Sequence, residues 1–308
     1  MDKSRFDDVQ KDIIEQRDKA GIDHFGREEL LKKLESTNGQ RRVVVSFARP
    51  DKSLSQHDII PFFSMLKSVG QVEAMDMVIV SNGGDGLTAE KMLALCRRYC
   101  TGKFRVVVPL YAKSAATLLA LGADEIVMGE TSELGPIDAQ VYLIQDNAEQ
   151  QVSADHYLRA RDDCIKKLSS DDPGEKEAAQ IALSLLSPAY LKHCEDLMNF
   201  GRDFARRQLQ SHMFHAEFTQ DNHTWASHID KIINNLTSTS KHLSHGRMIN
   251  AEAINADQDL QHLKIFNLSE EDPYWLALTE LLLRTEIVSQ LNNIGKMFFS
   301  IGFNLFSA

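Results

Sequence analysis

The feature that most constrains this chain is an alternation. Short apolar runs rich in β-branched residues recur at Val43-Val44-Val45-Ser46-Phe47-Ala48, Met77-Val78-Ile79-Val80, Phe104-Arg105-Val106-Val107-Val108 and Glu125-Ile126-Val127-Met128. A short run with little polar interruption reads as a strand covered on both faces. The intervals between the runs read as helices. His57 to Val69 carries Ile59, Ile60, Phe63, Met65 and Leu66; Thr88 to Tyr99 carries Met92, Leu93 and Leu95; Ser114 to Leu121 is rich in Ala and Leu. Strand and helix in strict turn predict an α/β fold, a mostly parallel sheet with helices on its faces. Ligands in such sheets bind beyond the carboxyl ends of the strands, where Gly83-Gly84 and Ser114 fall.

Composition narrows the class. With 308 residues, 43% hydrophobic and 25% charged, the chain is long enough for a large core and unlike a disordered or disulfide-built scaffold. The balance of 34 basic against 44 acidic residues gives a net charge of −10, which repels phosphate backbones, so no nucleic acid is expected as partner. Cys96, Cys100, Cys164 and Cys194 form no CxxC pair. They read as reduced thiols rather than zinc ligands, in keeping with a cytoplasmic protein. The charged start, Met1-Asp-Lys-Ser-Arg-Phe-Asp-Asp, does not read as a secretory signal, and no apolar stretch reaches the roughly 18 residues a transmembrane helix needs.

Residues 1–36 read as a polar helical arm interrupted by Gly21 and Gly26, and Asn38-Gly39 marks a turn. The body is expected over 37–268, with a helical insertion at about 150–235, broken by Asp171-Asp172-Pro173-Gly174 and restarted at Ser187-Pro188. His212, His215, His223 and His228 enrich this stretch without HExxH spacing, so no metal is expected. Residues 269–308 read as a terminal helix pair opened by Asp272-Pro273, with proline in the first turn. Its second half, Ile294 to Phe306, is strongly apolar. Packing against the body or a sister subunit is the favoured expectation, and peripheral membrane contact through this tail the lesser one.

Two features carry chemistry. Gly83-Gly84 follows directly on a strand; a glycine pair lets the backbone turn sharply and leaves N–H groups accessible, as an oxyanion hole or a plain turn would need. The phosphate-loop pattern GxxxxGK[ST] is absent. Ser114 opens a helix after a strand and is followed by the small Ala115-Ala116. It reads either as an N-cap or as a nucleophile at the positive end of the helix dipole.

Together with Val78-Ile79-Val80-Ser81-Asn82-Gly83-Gly84, the segments Ala112-Lys113-Ser114-Ala115-Ala116-Thr117, Ala123-Asp124-Glu125-Ile126-Val127-Met128 and Ser132-Glu133-Leu134-Gly135-Pro136-Ile137-Asp138 resemble the serine dehydrogenase proteinase family. This is a group of Clp/crotonase-fold serine peptidases related to signal peptide peptidase A. The resemblance covers roughly 40–140. Ser244-His245-Gly246-Arg247-Met248-Ile249-Asn250-Ala251-Glu252 resembles the family's later segment preceding a helix. The resemblance implies a Clp/crotonase-like ββα superhelix that hydrolyses peptide bonds through an acyl-enzyme on Ser114. Gly84 and Ala115 would supply the oxyanion N–H groups and Gly83 the turn. Clp proteases place a histidine near Ile137-Asp138, yet no histidine lies between His57 and His156. Signal peptide peptidase A uses a lysine well downstream of its serine, which implies Lys166 as base in a Ser–Lys dyad, with Lys167 and His156 as alternatives. Burial would have to lower the lysine pKa for that role. Asp138 reads as the end of the Gly-Pro turn or as part of a polar network.

The expected function is therefore a serine peptidase acting on a peptide or protein substrate, without a cofactor and as a homo-oligomer. Two alternatives share the fold. A crotonase-like acyl-CoA enzyme would want a basic CoA pocket, and a non-catalytic interaction module would show a cleft with no base near Ser114.

Overall fold

The computed structural model describes Asp8, residues 26–145 and residues 148–307. Most of the expected arm at 1–36 lies outside the described residues; its end is helix α1, Arg27–Thr37. The body then alternates as the pattern predicts: β1 (Arg42–Ala48), α2 (Ile59–Val69), β2 (Met75–Val80), α3 (Gly86–Tyr99), β3 (Phe104–Val107), β4 (Tyr111–Ala112), α4 (Ala115–Leu121), β5 (Glu125–Met128) and β6 (Glu133–Leu134). A hairpin of β7 (Gln140–Gln145) and β8 (Ala148–Ser153) leads into α5 (Ala154–Lys167), α6 (Pro173–Ser184), α7 (Pro188–Gln208), α8 (His215–Gln220), α9 (Asn222–Thr237), α10 (Thr239–His242) and α11 (Ala251–Ala256). The chain closes with β9 (Ile265–Asn267), α12 (Pro273–Asn292), β10 (Lys296–Ser300) and β11 (Phe303–Ser307).

Among the described residues the main sheet runs β11-β10-β1-β2-β3-β5-β9. Its five strands from β1 to β9 are parallel, and β10 and β11 add antiparallel on the β1 side. Successive side chains of a strand point to opposite faces. Val43, Val45, Phe47, Val78, Val80, Val107 and Val127 accordingly meet α1 and α12 through Leu31, Leu34, Trp275 and Leu278. Val44, Met77, Ile79, Val106, Ile126 and Met128 meet α2, α3 and α4 through Phe62, Met92, Leu93 and Leu119. Helices on both faces explain why the strands read as continuous apolar runs.

A second, smaller layer lies past the carboxyl ends. β4 pairs with β6 in parallel, and single bridges join Leu54 to Gly84, Ser81 to Ala112 and Leu134 to Ile249. Long strand, short strand, helix is thus the repeating unit. The protein is a Clp/crotonase-like α/β fold, a ββα superhelix with a mostly parallel central sheet.

The amino end of this sheet is closed by charge. Asp76 is fully buried and receives Arg41 Nε at 2.6 Å, Arg105 Nε at 2.8 Å and Nη2 at 2.7 Å, Tyr274 Oη at 3.0 Å and Asn38 Nδ2 at 3.0 Å. Every lone-pair direction of the carboxylate is used, which is what makes a buried charge tolerable.

The expected terminal helix pair is corrected. α12 forms as predicted, with Asp272 capping the Tyr274 and Trp275 amides. The apolar stretch after it is a β-hairpin. Asn293 takes a left-handed φ of 50° to end the helix, and Gly302 (φ 75°) turns between the two strands. Met297 and Phe299 enter one face of the main sheet and Phe298 the other. The strongly apolar first strand of the tail is therefore spent on the chain's own core. No helix of the described residues is long and apolar enough to cross a membrane.

Candidate active site

The nucleophile candidate sits where the small layer meets a helix. Ser114 has φ 51° and ψ −116°, a left-handed conformation that costs a non-glycine residue about 1–3 kcal/mol and persists only when its surroundings enforce it. Its neighbours do so. The Lys113 amide donates to Ser81 O at 3.0 Å and the Lys113 carbonyl accepts from Ala116 N at 2.9 Å. Fully buried Thr117 locks the turn from below: its hydroxyl reaches Ala112 O at 2.6 Å and takes the Gly135 N–H at 3.1 Å. Ser114 makes no capping bond with its side chain, so the N-cap alternative does not describe it. The sharp, strained strand-to-helix turn instead resembles in geometry the elbow that presents a serine hydroxyl to a cleft.

The glycine pair fits against this turn. Gly83 has φ 92°, and a Cβ there would lie 2.5 Å from Lys113 O and 2.8 Å from Ser114 Cβ. Gly84 has φ 137°, and a Cβ there would lie 2.5 Å from Leu54 O. Both positions demand glycine twice over, by backbone conformation and by space. Their amides differ. Gly83 N–H donates to Ser81 Oγ at 3.0 Å, so Gly83 shapes the turn. Among the described residues no acceptor takes the Gly84 N–H. Ala115 opens α4, so its N–H has no intrahelical acceptor.

Ser114, Gly84 and Ala115 line one cavity of about 850 Å³, and Asp138 and His245 line it with them. His245 Nδ1 lies 2.7 Å from Asp138 Oδ1. Asp138 is 2% exposed, and Gln140 Nε2 binds its other oxygen at 2.8 Å. Burial pushes the Asp138 carboxyl up, but the hydrogen bond and charge of His245, with help from Ser153 and the backbone, outweigh it and hold its pKa below the ordinary value. The reading of Asp138 as a mere turn residue is thereby replaced by the polar-network one.

The lysine expected as base is elsewhere. Lys166 and Lys167 occupy the last turn of α5 with exposed side chains, and neither lines the cavity. The structure brings together Ser114, Gly83, Gly84 and Ala115 and leaves Lys166 out, because the polar face of α5 turns to solvent. His156 lines a smaller cavity of about 200 Å³ that Asp138 and His245 also line. The residue that sequence reasoning passed over is His245. Its signal was present in Ser244-His245-Gly246-Arg247, which resembles a family segment, but nothing in the spacing says that this loop folds back onto a serine 131 positions earlier.

The sequence model of the ClpP-like SDH-type serine proteinases matches residues 58–184. Over that segment, under half of its length, the chain is similar to this family. The matched segment holds the glycine pair, Ser114 and Asp138, and ends before His245. Among curated proteins, the uncharacterized protein MJ1495 of Methanocaldococcus jannaschii is 39% identical over 67 residues, 22% of this chain and 23% of that one. MJ0137 of the same organism is 32% identical over 90 residues, 29% of this chain and 31% of that one. The chain thus spans less than a third of the length of these curated relatives. Two solved structures of the 1510-N membrane-bound stomatin-specific protease are also similar. A serine-to-alanine mutant gives a TM-score of 0.30 at 14% identity, covering 48% of this chain and 70% of that one. A lysine-to-alanine mutant in complex with a substrate peptide gives 0.28 at 13%, covering 48% and 66%.

The cavity lining also bears on the acyl-CoA alternative. Asp85, Asp138 and Asp196 contribute carboxylates, and no lysine or arginine among the described residues lines it. A CoA phosphate would find no cation there.

Proposed function

We propose that this protein is a serine peptidase in which Ser114 is the nucleophile, His245 the general base and Asp138 the residue that orients the base. The observation that carries the reading is the strained Ser114 turn sharing one cavity with a hydrogen-bonded His245–Asp138 pair. The family match over 58–184 supports the coarser reading, a serine proteinase. A Ser–Lys dyad on Lys166 has no comparable support, since that side chain is exposed away from the cavity.

The chemistry follows the general logic of such triads. Ser114 Oγ attacks the scissile carbonyl carbon while His245 Nε2 takes the hydroxyl proton. Asp138 accepts the Nδ1–H bond, fixes the tautomer with Nε2 free, and stabilises the imidazolium that forms. The carbonyl oxygen becomes an oxyanion facing the Gly84 and Ala115 N–H groups, a gain that peptide ground states do not share. His245 then returns the proton to the leaving amine. Water attacks the acyl-enzyme by the same steps and frees Ser114.

The test is labelling of the purified protein with a fluorophosphonate, followed by mass mapping. An adduct on Ser114 that is lost in Ser114→Ala, suppressed about 10²- to 10⁴-fold in His245→Ala and unchanged in Lys166→Ala is the expected result. Labelling that survives His245→Ala at full rate but disappears in Lys166→Ala would return the base to the lysine. No adduct at any pH from neutral to alkaline would remove the peptidase reading.

A further inference from the structure

The loop that carries His245 is weakly anchored for a base that must be placed to a fraction of an ångström. Leu243 and Met248, its two large apolar side chains, are 80% and 56% exposed, so neither pins it to the core. It rejoins regular structure at Ile249, which bridges Leu134 through hydrogen bonds of 2.9 and 3.1 Å. Between these points one tether comes from the other half of the site. Lys113, the residue before Ser114, donates from Nζ to Gly246 O at 3.0 Å. The same ammonium lies 3.0 Å from Glu133 Oε1. Its side chain is 12% exposed, low for a lysine, and both partners are needed to offset that burial.

We propose that Lys113 is a positioning residue, a clamp that fixes the His245 loop to the nucleophile turn. The inference rests on His245 being the base. The backbone of Lys113 is held by the bonds at Ser81 and Ala116 that enforce the Ser114 turn, so its side chain starts from a fixed point. The stem then passes over Gly135, where a Cβ would lie 2.8 Å from Lys113 Cδ. This gives the glycine of Ser-Glu-Leu-Gly-Pro a reason of its own. Glu133 in the same motif holds the ammonium from the side, and Asp138 at its end binds His245 Nδ1. One short motif thus supports both the clamp and the base. Removing the clamp frees the backbone next to His245 and leaves the Asp138 hydrogen bond to hold the imidazole. A base displaced by about 1 Å costs on the order of 10² in rate.

The experiment is the fluorophosphonate labelling rate of Ser114 in the full chain, with thermal unfolding of each variant alongside. Lys113→Met is expected to lower the rate about 10²-fold, and Lys113→Arg to recover most of it, because guanidinium can serve a carbonyl and a carboxylate together. The double variant Lys113→Met/Glu133→Gln removes both charges, so an unpaired carboxylate does not decide the fold. It is expected to be as slow as Lys113→Met. The deciding readout is the His245→Ala background, where Lys113→Met is expected to change the residual rate by less than about two-fold, since a residue acting through the base has nothing left to act on. Equal losses in both backgrounds would overturn the proposal and make Lys113 merely structural, as would wild-type labelling by Lys113→Met beside a slow His245→Ala. Wild-type labelling by His245→Ala itself would instead overturn the base assignment, and the clamp with it.

Discussion

The two ends of the central sheet are built on opposite principles. At the amino end, Asp76 is sealed under Tyr274 and bound by two arginines and an asparagine, with every carboxylate direction used. At the carboxyl end, Ser114 is held in a left-handed conformation beside a cavity of about 850 Å³ that Gly84 also lines, its amide without an acceptor among the described residues. One end spends its polar groups on each other; the other keeps them free. The parallel strands explain the division. All five parallel strands deliver their carboxyl termini to the same edge, so the irregular turns that follow collect there. Strain and unsatisfied donors at that edge cost stability, which the packing of the rest of the fold has to offset.

The sharpest way to break the comparison is to change one aspartate at each end. Asp138→Asn is expected to lower the labelling or peptidase rate by roughly 10⁴, about 5 kcal/mol of transition-state stabilisation, with circular dichroism unchanged. The amide can still meet the imidazole, but it favours the wrong tautomer and cannot stabilise the imidazolium. An Asp138→Asn protein that labels at the native rate would detach Asp138 from the chemistry.

Asp76→Asn is the mirror experiment. It leaves Arg41 and Arg105 facing a neutral group in a buried setting and is expected to cost about 3–5 kcal/mol in denaturant unfolding. Ser114 labelling of the remaining folded protein is expected to be unchanged. A loss of labelling larger than the loss of folded protein would mean that the two ends are coupled through β2, and the division would fail.

How much of this was legible follows the same line. The strands were readable because helices cover both faces, which leaves Val43–Val45 and Met77–Val80 apolar at nearly every position. The glycine pair and Ser114 were readable because backbone conformation and close approach are local demands, and each selects a residue type. Asp138 and His245 were not readable as a pair, because their 2.7 Å contact is made by a loop returning after the helices α5 to α10. Sequence spacing carries no information about such a return. Lys166 came from the resemblance to peptidases that use a lysine downstream of the serine, and its exposed place on the helix sets it apart from the cavity. The hairpin at 296–307 misled for a different reason. Met297, Phe298 and Phe299 serve both faces of the sheet, so their run has no period to mark it as strand, and only Asn293 and Gly302 hint at the two turns.

The smallest expected effect concerns acid, and it tests whether the carboxyl end contributes any stability of its own. Asp138 has its folded pKa depressed below the ordinary 3.8. A depressed carboxylate stabilises the fold above its unfolded pKa, and that contribution is lost as pH falls through the folded value. The melting temperature of the native protein should therefore exceed that of Asp138→Asn by a constant margin above about pH 5, and the margin should shrink once the pH drops below about 4. Protonating Asp138 leaves a neutral acid facing His245 and removes the carboxylate charge from their hydrogen bond. If the margin were absent at neutral pH, or persisted unchanged in strong acid, the His245–Asp138 pair would add nothing to folding, and the carboxyl end would be maintained entirely by the packing beneath it.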